Sequence, residues 1–361
     1  MRRWSCCRSM VGEILSVPGC RLSPMAHNSS RISHPDSVQQ FWTWWEEHRI
    51  EVARAVATGE QVERIAEELT TRLDQVDERL AWEVGAGDGG SAMVLVISAE
   101  GDPALRALAR RVVLAAPPAD AQWCYADLKA PKSGGVLSFA GHDLDLDDAR
   151  VAVEQDPTKV HLEVWHPVFT QVDEDTRLRL AFLMLDTVVG EERIELWVGA
   201  VEAAEEEPED AVPLAEVQRA IDDLRASFLA EGGEPCWTLL QGEGPNGPLV
   251  ARVQFPVHSL VNPLWETHVA IERRYPDDSG TGFPGEEDHE LNGRIEDEIM
   301  ASCGRDGDLR AVETGGGRVL WHCFADPTTG LAARLQDIAH RHGAQVTIEH
   351  DPAWETIDHL G

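Results

Sequence analysis

Lysine is almost missing from this chain of 361 residues: only Lys129, Lys132 and Lys159 carry it, so nearly all positive charge is arginine. Lys and Arg together number 31 against 64 Asp and Glu, a formal net charge of −33 at pH 7. Such a chain repels phosphate backbones, because nucleic-acid binding draws on a basic patch that releases counterions. Direct binding to DNA or RNA is therefore not expected, and anionic membrane surfaces are disfavoured for the same reason. Long hydrophobic runs are missing too. The densest, residues 178–185, is flanked by Arg177 and Asp186 and falls far short of the roughly 18 apolar residues a membrane helix needs. No Cys-x-x-Cys pair, G-x-S-x-G elbow, H-E-x-x-H helix or Walker loop occurs. Nucleophilic catalysis and motif-borne metal chemistry thus find no foothold, and carboxylates are too abundant for any pair to stand out as acid and base.

What is present describes an ordinary globular chain. The hydrophobic fraction of 43% allows sizeable cores, and the length points to two or three domains. The seven cysteines make an odd count. Cys124, Cys236, Cys303 and Cys323 lie in apolar stretches and read as buried free thiols, which suits a reducing cytoplasm. Surplus acid serves solubility and leaves room for a basic protein partner.

The first 36 residues stand apart. Arg2 and Arg3 could open a signal peptide, and Val17-Pro18-Gly19-Cys20 is faintly similar to a lipoprotein cleavage site. Glu13, Pro18 and Gly19 interrupt the apolar region such a signal needs. A disordered leader, or a start assigned too early with Met25 the true one, is the expectation.

From Asp36 the periodicity predicts two helices, ending at Gly59 and near Val76. Phe41, Trp42, Trp44 and Trp45 crowd into five residues of the first, and cannot all share one helical face. Core packing is the ordinary role, and a partner surface at these four rings is the functional alternative. A hairpin over 80–98, a helix over 103–114 and a strand over 123–128 complete an N-terminal α+β domain, 37–131. The middle α+β region, 132–262, reads as strands at 150–154 and 160–165, a helix from Asp173 to about Val189, and a strand at 193–201. An acidic linker at 205–210, a helix at 214–230 and a hairpin over 237–255 follow.

Two motifs invite chemistry. Gly85, Gly87 and Gly90 satisfy G-x-G-x-x-G, but an apolar strand follows where a dinucleotide loop needs a helix, so a hairpin turn is expected. Asp143, Asp145, Asp147 and Glu154 fit part of a calcium-loop frame, yet Asp148 occupies the position that requires glycine. An acidic loop is expected there. His340 and His342 sit two apart on a helix end and point to different sides, so a shared metal is not expected.

The last segment, 263–361, is the clearest. Its order is strand, helix, strand, strand, helix, strand, with Leu291, Ile295, Ile299 and Cys303 striping the first helix. Val319, Trp321 and Cys323 alternate along the third strand, with His322 on its other side. That order fits the ferredoxin-like split βαβ plan, an antiparallel sheet with both helices on one face. Glu272, Arg274 and His322 form a weak candidate polar cluster, for which an ion-pair network is the plainer account.

These residues carry a resemblance. The run 271–275, the Gly282-Phe283-Pro284 loop, the helix through Leu291, Ile295, Glu296 and Asp297, and Thr314 with its glycine turn resemble the bacterial family called domain of unknown function 695. The Trp321-His322-Cys323-Phe324 strand and Asp351-Pro352-Ala353-Trp354 extend the likeness. The stretches 41–44 and 123–129 are similar to the N-terminal part of longer members. In plan the terminal unit is more distantly similar to the ribonuclease E inhibitor B family, acidic regulators that bind a protein; this is an analogy of fold. The resemblance names no catalytic residue, cofactor or metal.

The sequence thus leads to a soluble cytoplasmic α+β protein with a ferredoxin-like C-terminal domain and no expected cofactor. The leading function is a non-enzymatic binding or regulatory protein, a neutraliser of a basic partner. The rivals are an enzyme with an inter-domain site and a structural scaffold.

Overall fold

The computed structural model describes residues 15–16, 35–87, 90–132, 134–139, 141–244, 247–277 and 280–361. The leader read from the sequence lies outside them, save for Leu15–Ser16 and the helix start. The architecture is mixed α+β, and the chain divides into two compact units, Met1–Ile221 and Asp222–Gly361.

The first unit begins with a short strand β1 (Leu15–Ser16), followed by helices α1 (Pro35–Thr58) and α2 (Val62–Asp74). Strands β2 (Ala81–Ala86) and β3 (Met93–Ser98), helix α3 (Pro103–Leu114) and strand β4 (Trp123–Ala126) complete a sheet of order β1-β2-β3-β4. Helix α3 starts where the sequence asks it to: Asp102 accepts a hydrogen bond from the Ala104 amide at 3.0 Å, and Pro103 opens the first turn.

The aromatic crowd on α1 is core, not surface. Phe41, Trp42, Trp44 and Trp45 are all buried, at 1, 3, 6 and 0% exposure. The reason is that α1 is covered on more than one flank, by α2 and by the sheet with α3. Trp42 donates its indole N–H to the Val112 carbonyl at 2.8 Å, and Trp45 donates to the Tyr125 hydroxyl at 3.0 Å. A partner surface at these four rings is therefore withdrawn.

The glycine-rich stretch turns the β2–β3 hairpin, with the Gly87 amide bonding Ala92 at 3.1 Å. A Cβ at Gly87 would sit 2.5 Å from the Ser91 carbonyl oxygen, so only glycine fits. Residues 88 and 89 of that motif lie outside the described residues.

The unit continues with a hairpin of β5 (Val136–Phe139) and β6 (His142–Asp145), then β7 (Arg150–Gln155) and β8 (Val160–Trp165). Helices α4 (Glu174–Val188) and α5 (Glu191–Trp197) follow, then β9 (Val198–Ala203), β10 (Val212–Pro213) and α6 (Glu216–Ala226), within which the unit boundary falls. The second sheet has the order β10-β7-β8-β9. Two local expectations change. Residues 193–201 are not one strand, because Glu191 and Glu192 favour the positive end of a helix that runs on to Trp197. Asp143 and Asp145 belong to β6, where the Asp145 carboxylate accepts from the Asp147 amide at 3.0 Å and caps a short 3₁₀ turn.

The second unit is built on β11 (Trp237–Gly244), β12 (Gly247–Gln254) and β13 (Thr267–Arg274). Then come α7 (Glu286–Cys303), β14 (Gly307–Gly315), β15 (Arg318–Ala325), α8 (Leu331–Arg341), β16 (Gln345–His350) and a closing 3₁₀ segment, Glu355–Leu360. One six-stranded antiparallel sheet has the order β11-β12-β14-β15-β13-β16. The hairpin assigned by sequence to the middle region thus extends this sheet through β12 and β14. Val269, Ile271, Ile295, Ile299, Trp321 and Leu335 belong to a single buried cluster between the sheet and its helices. Cys303 and Cys323 are buried free thiols, and Cys124 and Cys236 are half-buried. Among the described residues, no helix is long and apolar enough to cross a membrane.

Candidate functional site

Strand alternation sends successive side chains to opposite faces of a sheet. On β13, Val269 and Ile271 face the apolar core, so His268, Ala270 and Glu272 face away from it. Register then sets the neighbours. His268 lies opposite Phe324 on β15 and Glu349 on β16, His322 lies opposite Ala270, and Glu313 on β14 lies opposite Leu320. Four polar side chains therefore run diagonally across four adjacent strands on the face away from the helices.

They are joined end to end. Glu349 Oε1 lies 3.2 Å from His268 Nδ1, and His268 Nε2 lies 3.0 Å from His322 Nδ1. His322 Nε2 lies 3.1 Å from Glu313 Oε1, which also meets His359 Nε2 at 3.2 Å. The middle is dry and the ends are wet. The side chains of His268, His322 and Glu313 are 3, 5 and 8% exposed, against 49% for Glu349 and 52% for His359.

The chain end supplies the cover. After β16, Asp351 accepts hydrogen bonds from the Glu355 amide at 2.8 Å, the Thr356 amide at 3.1 Å and the Thr356 hydroxyl at 2.7 Å. This folds residues 351–361 back. Trp354 stacks on Phe324 with ring centres 4.4 Å apart and donates its indole N–H to the Trp265 carbonyl at 3.0 Å. The guanidinium of Arg310 lies 5.5 Å from the Trp354 ring centre. Arg310 is held by the Gln254 side chain at 2.9 Å and the Gln254 carbonyl at 2.8 Å.

Burial pushes the His268 imidazole below its ordinary range, and the neighbouring His322 pushes it further. Glu313 is also lowered, first by the hydrogen bond from His322, against an opposing cost of burial.

The polar trio read from the sequence does not assemble as one cluster. Glu272 and Arg274 do meet, at 2.9 Å, and Arg318 joins Glu272 at 3.0 Å. His322 shares their face of the sheet but bonds His268 and Glu313 instead. Sequence reasoning missed His268, Glu313, Glu349 and His359. One signal was available: His268 and His322 both alternate against apolar residues on strands that the split βαβ plan makes neighbours.

A second polar centre lies in the first unit. Residues 129–132 run beside 187–191, tied by the Lys132 amide to the Thr187 carbonyl at 2.7 Å and by the Lys129 amide to Glu191 Oε2 at 3.1 Å. Gly190 permits this approach: its φ is +89°, and a Cβ there would meet Pro131 Cδ at 2.9 Å. A cleft of about 290 Å³ opens alongside, bordered by Arg110, Asp127, Lys129, Pro131, Gly190 and Arg193. Lys129 Nζ and Lys132 Nζ reach the two oxygens of Glu83 at 3.4 and 3.6 Å. Burial pushes Glu191 up to about 7 and Asp186 up to about 6, with Lys129 holding both down in part. Burial would lower Lys129, but Glu83, Glu100, Glu191 and Asp186 together push it up. Among the described residues, no group of three or more His, Cys, Asp or Glu is placed to hold a metal ion.

No family model, curated protein or solved structure matches this chain.

Proposed function

We propose that this chain is a non-enzymatic acidic protein that binds a basic protein partner. The supporting observation is the layout of charge. Arginines are spent on internal ion pairs, among them Arg273–Asp288, Arg310–Asp308, Arg318–Glu272, Arg334–Asp306 and Arg341–Glu298. Exposed carboxylates crowd elsewhere: Glu63 and Glu67 on α2, Glu286, Glu287 and Asp297 on α7, and Glu206, Glu209 and Asp210 in the loop before β10. A basic partner would meet a field of one sign, which speeds encounter and excludes acidic competitors.

The C-terminal unit fits a ferredoxin-like reading, and kinship with domain of unknown function 695 is proposed with it. The support is the strand order β14-β15-β13-β16, with α7 and α8 as the two connections. The test is affinity capture from the native host beside an acidic control protein of equal net charge. Capture of a basic protein by this chain alone, with affinity falling as salt rises, is expected. Equal capture by the control would overturn the proposal.

A second reading is an acid–base site in the first unit. It is favoured by a carboxyl that burial pushes up to about 7, Glu191, bonded to the Lys129 amide next to a cleft of small-molecule scale that Lys129 and Gly190 border. A metabolite panel scored by thermal shift would test it, with binding lost in Lys129→Met. The scaffold reading drew on an exposed aromatic cluster and loses its support with those rings buried.

A further inference from the structure

We propose that residues 351–361 form an acid-released strap, closed over the His268–His322 pair near neutral pH and lifted when that pair takes up protons. Three contacts link Glu349, His268, His322 and Glu313, and with both carboxylates ionised each contact needs its own proton. Two neutral imidazoles carry only two. The Glu313 carboxylate holds the His322 Nε2 proton, so His322 Nδ1 is bare and accepts from His268 Nε2. His268 Nδ1 is then bare as well, facing Glu349, which is half exposed and free to turn to water.

The closed face takes protons poorly. One more would place a cation in a layer sealed by Phe324 and Trp354, and a second would set two imidazolium rings 3.0 Å apart at their nearest nitrogens. His268 is accordingly held below its ordinary range by burial and by His322. Once the strap lifts, His268 meets water and the penalty on its cation is gone. Opening therefore consumes up to one proton below a pH of about 6.5, and acid favours it.

The charged groups around His268 leave this direction intact. Glu349 on β16, Glu313 on β14 and Asp351 in the strap favour its cation, and His322 on β15 opposes it. His359 of the strap competes with His322 for Glu313, and Arg310 with Asp308 lies beneath Trp354. Glu266 precedes β13, its carbonyl bonded to the Asp351 amide at 2.7 Å. Burial and His322 together outweigh Glu349 and Asp351, because the net shift of His268 is downward.

Hydrogen exchange on the full chain tests the strap, with β14 and β15 amides as the reference for unfolding of the whole unit. After correction for intrinsic rates, strap opening is expected to rise about fivefold from pH 6.5 to pH 5.5 while the reference amides stay protected. His268→Gln should cut that rise to about twofold or less. Imidazole nitrogen spectra at pH 7.5 should show both rings neutral with the proton on Nε2. A cationic His268 at pH 7.5, a strap that opens only together with β14 and β15, or an unchanged rise in His268→Gln would each overturn the proposal.

Discussion

The two units bury charge in opposite ways. The first sets Lys129 among four carboxylates, while the second threads two histidines between two carboxylates. Burial acts on both centres, yet its effect on stability has opposite sign. Glu191 and Asp186 are raised in the folded chain, so at these two groups the native first unit binds more protons than the unfolded one above about pH 4.5. Their contribution to its stability falls as pH rises towards 7. His268 is lowered, so the native second unit binds fewer protons than the unfolded one below about pH 6.5, and its stability falls as pH drops. Glu313 adds to the same trend, since its contribution is complete above its ordinary value near 4.5 and is lost in stronger acid. The chain thus carries two buried polar centres whose contributions to stability lean apart with pH.

The largest effect expected is from Lys129→Met, which leaves Glu191, Asp186 and Glu83 without their common cation. It should cost the first unit about 3 kcal/mol at pH 8 and clearly less at pH 5. Denaturant unfolding followed by exchange at β3 amides measures this, and an equal loss at both pH values would break the contrast. Glu191→Gln keeps an acceptor for the Lys129 amide and removes the disfavoured charge. A gain of about 2 kcal/mol at pH 8, and almost none at pH 5, is expected in the same measurement. In the second unit, His322→Leu removes the buried partner that His268 and Glu313 share. It should cost about 1–3 kcal/mol, read at β14 and β15 amides, with little change at β3. His359→Ala removes a half-exposed partner and should cost under about 1 kcal/mol, a loss that salt diminishes.

Much of the secondary structure was legible, and the reasons are local. Asp102-Pro103 starts α3, the stripe Leu291, Ile295, Ile299 and Cys303 marks α7, and Val319, Trp321 and Cys323 alternate along β15. The short α5 was not, because Ile194, Leu196 and Val198 alternate like a strand while the acids in its first turn favour a helix. The polar chain was legible only in part. His322 was assigned to the correct face, away from Trp321 and Cys323, but that face is covered by the chain end, which has no periodic pattern to announce it. Glu313 and His359 meet across 46 residues, and Glu83 and Lys129 across the same separation, so both contacts depend on register and packing that no window of sequence contains. The aromatic cluster illustrates the reverse: four rings that could not share one face were still all buried, because neighbours cover α1 on several sides.

That cluster has an optical consequence. Trp45 meets Trp123 at 4.8 Å and 75° and Trp42 at 6.5 Å and 89°, and Trp42 meets Tyr125 at 5.0 Å. Ring transitions this close, held at fixed and unequal angles, couple as excitons and rotate polarised light. The native packing of the first unit is thereby written into its near-ultraviolet circular dichroism, where the loosening of a single indole erases signal shared by several.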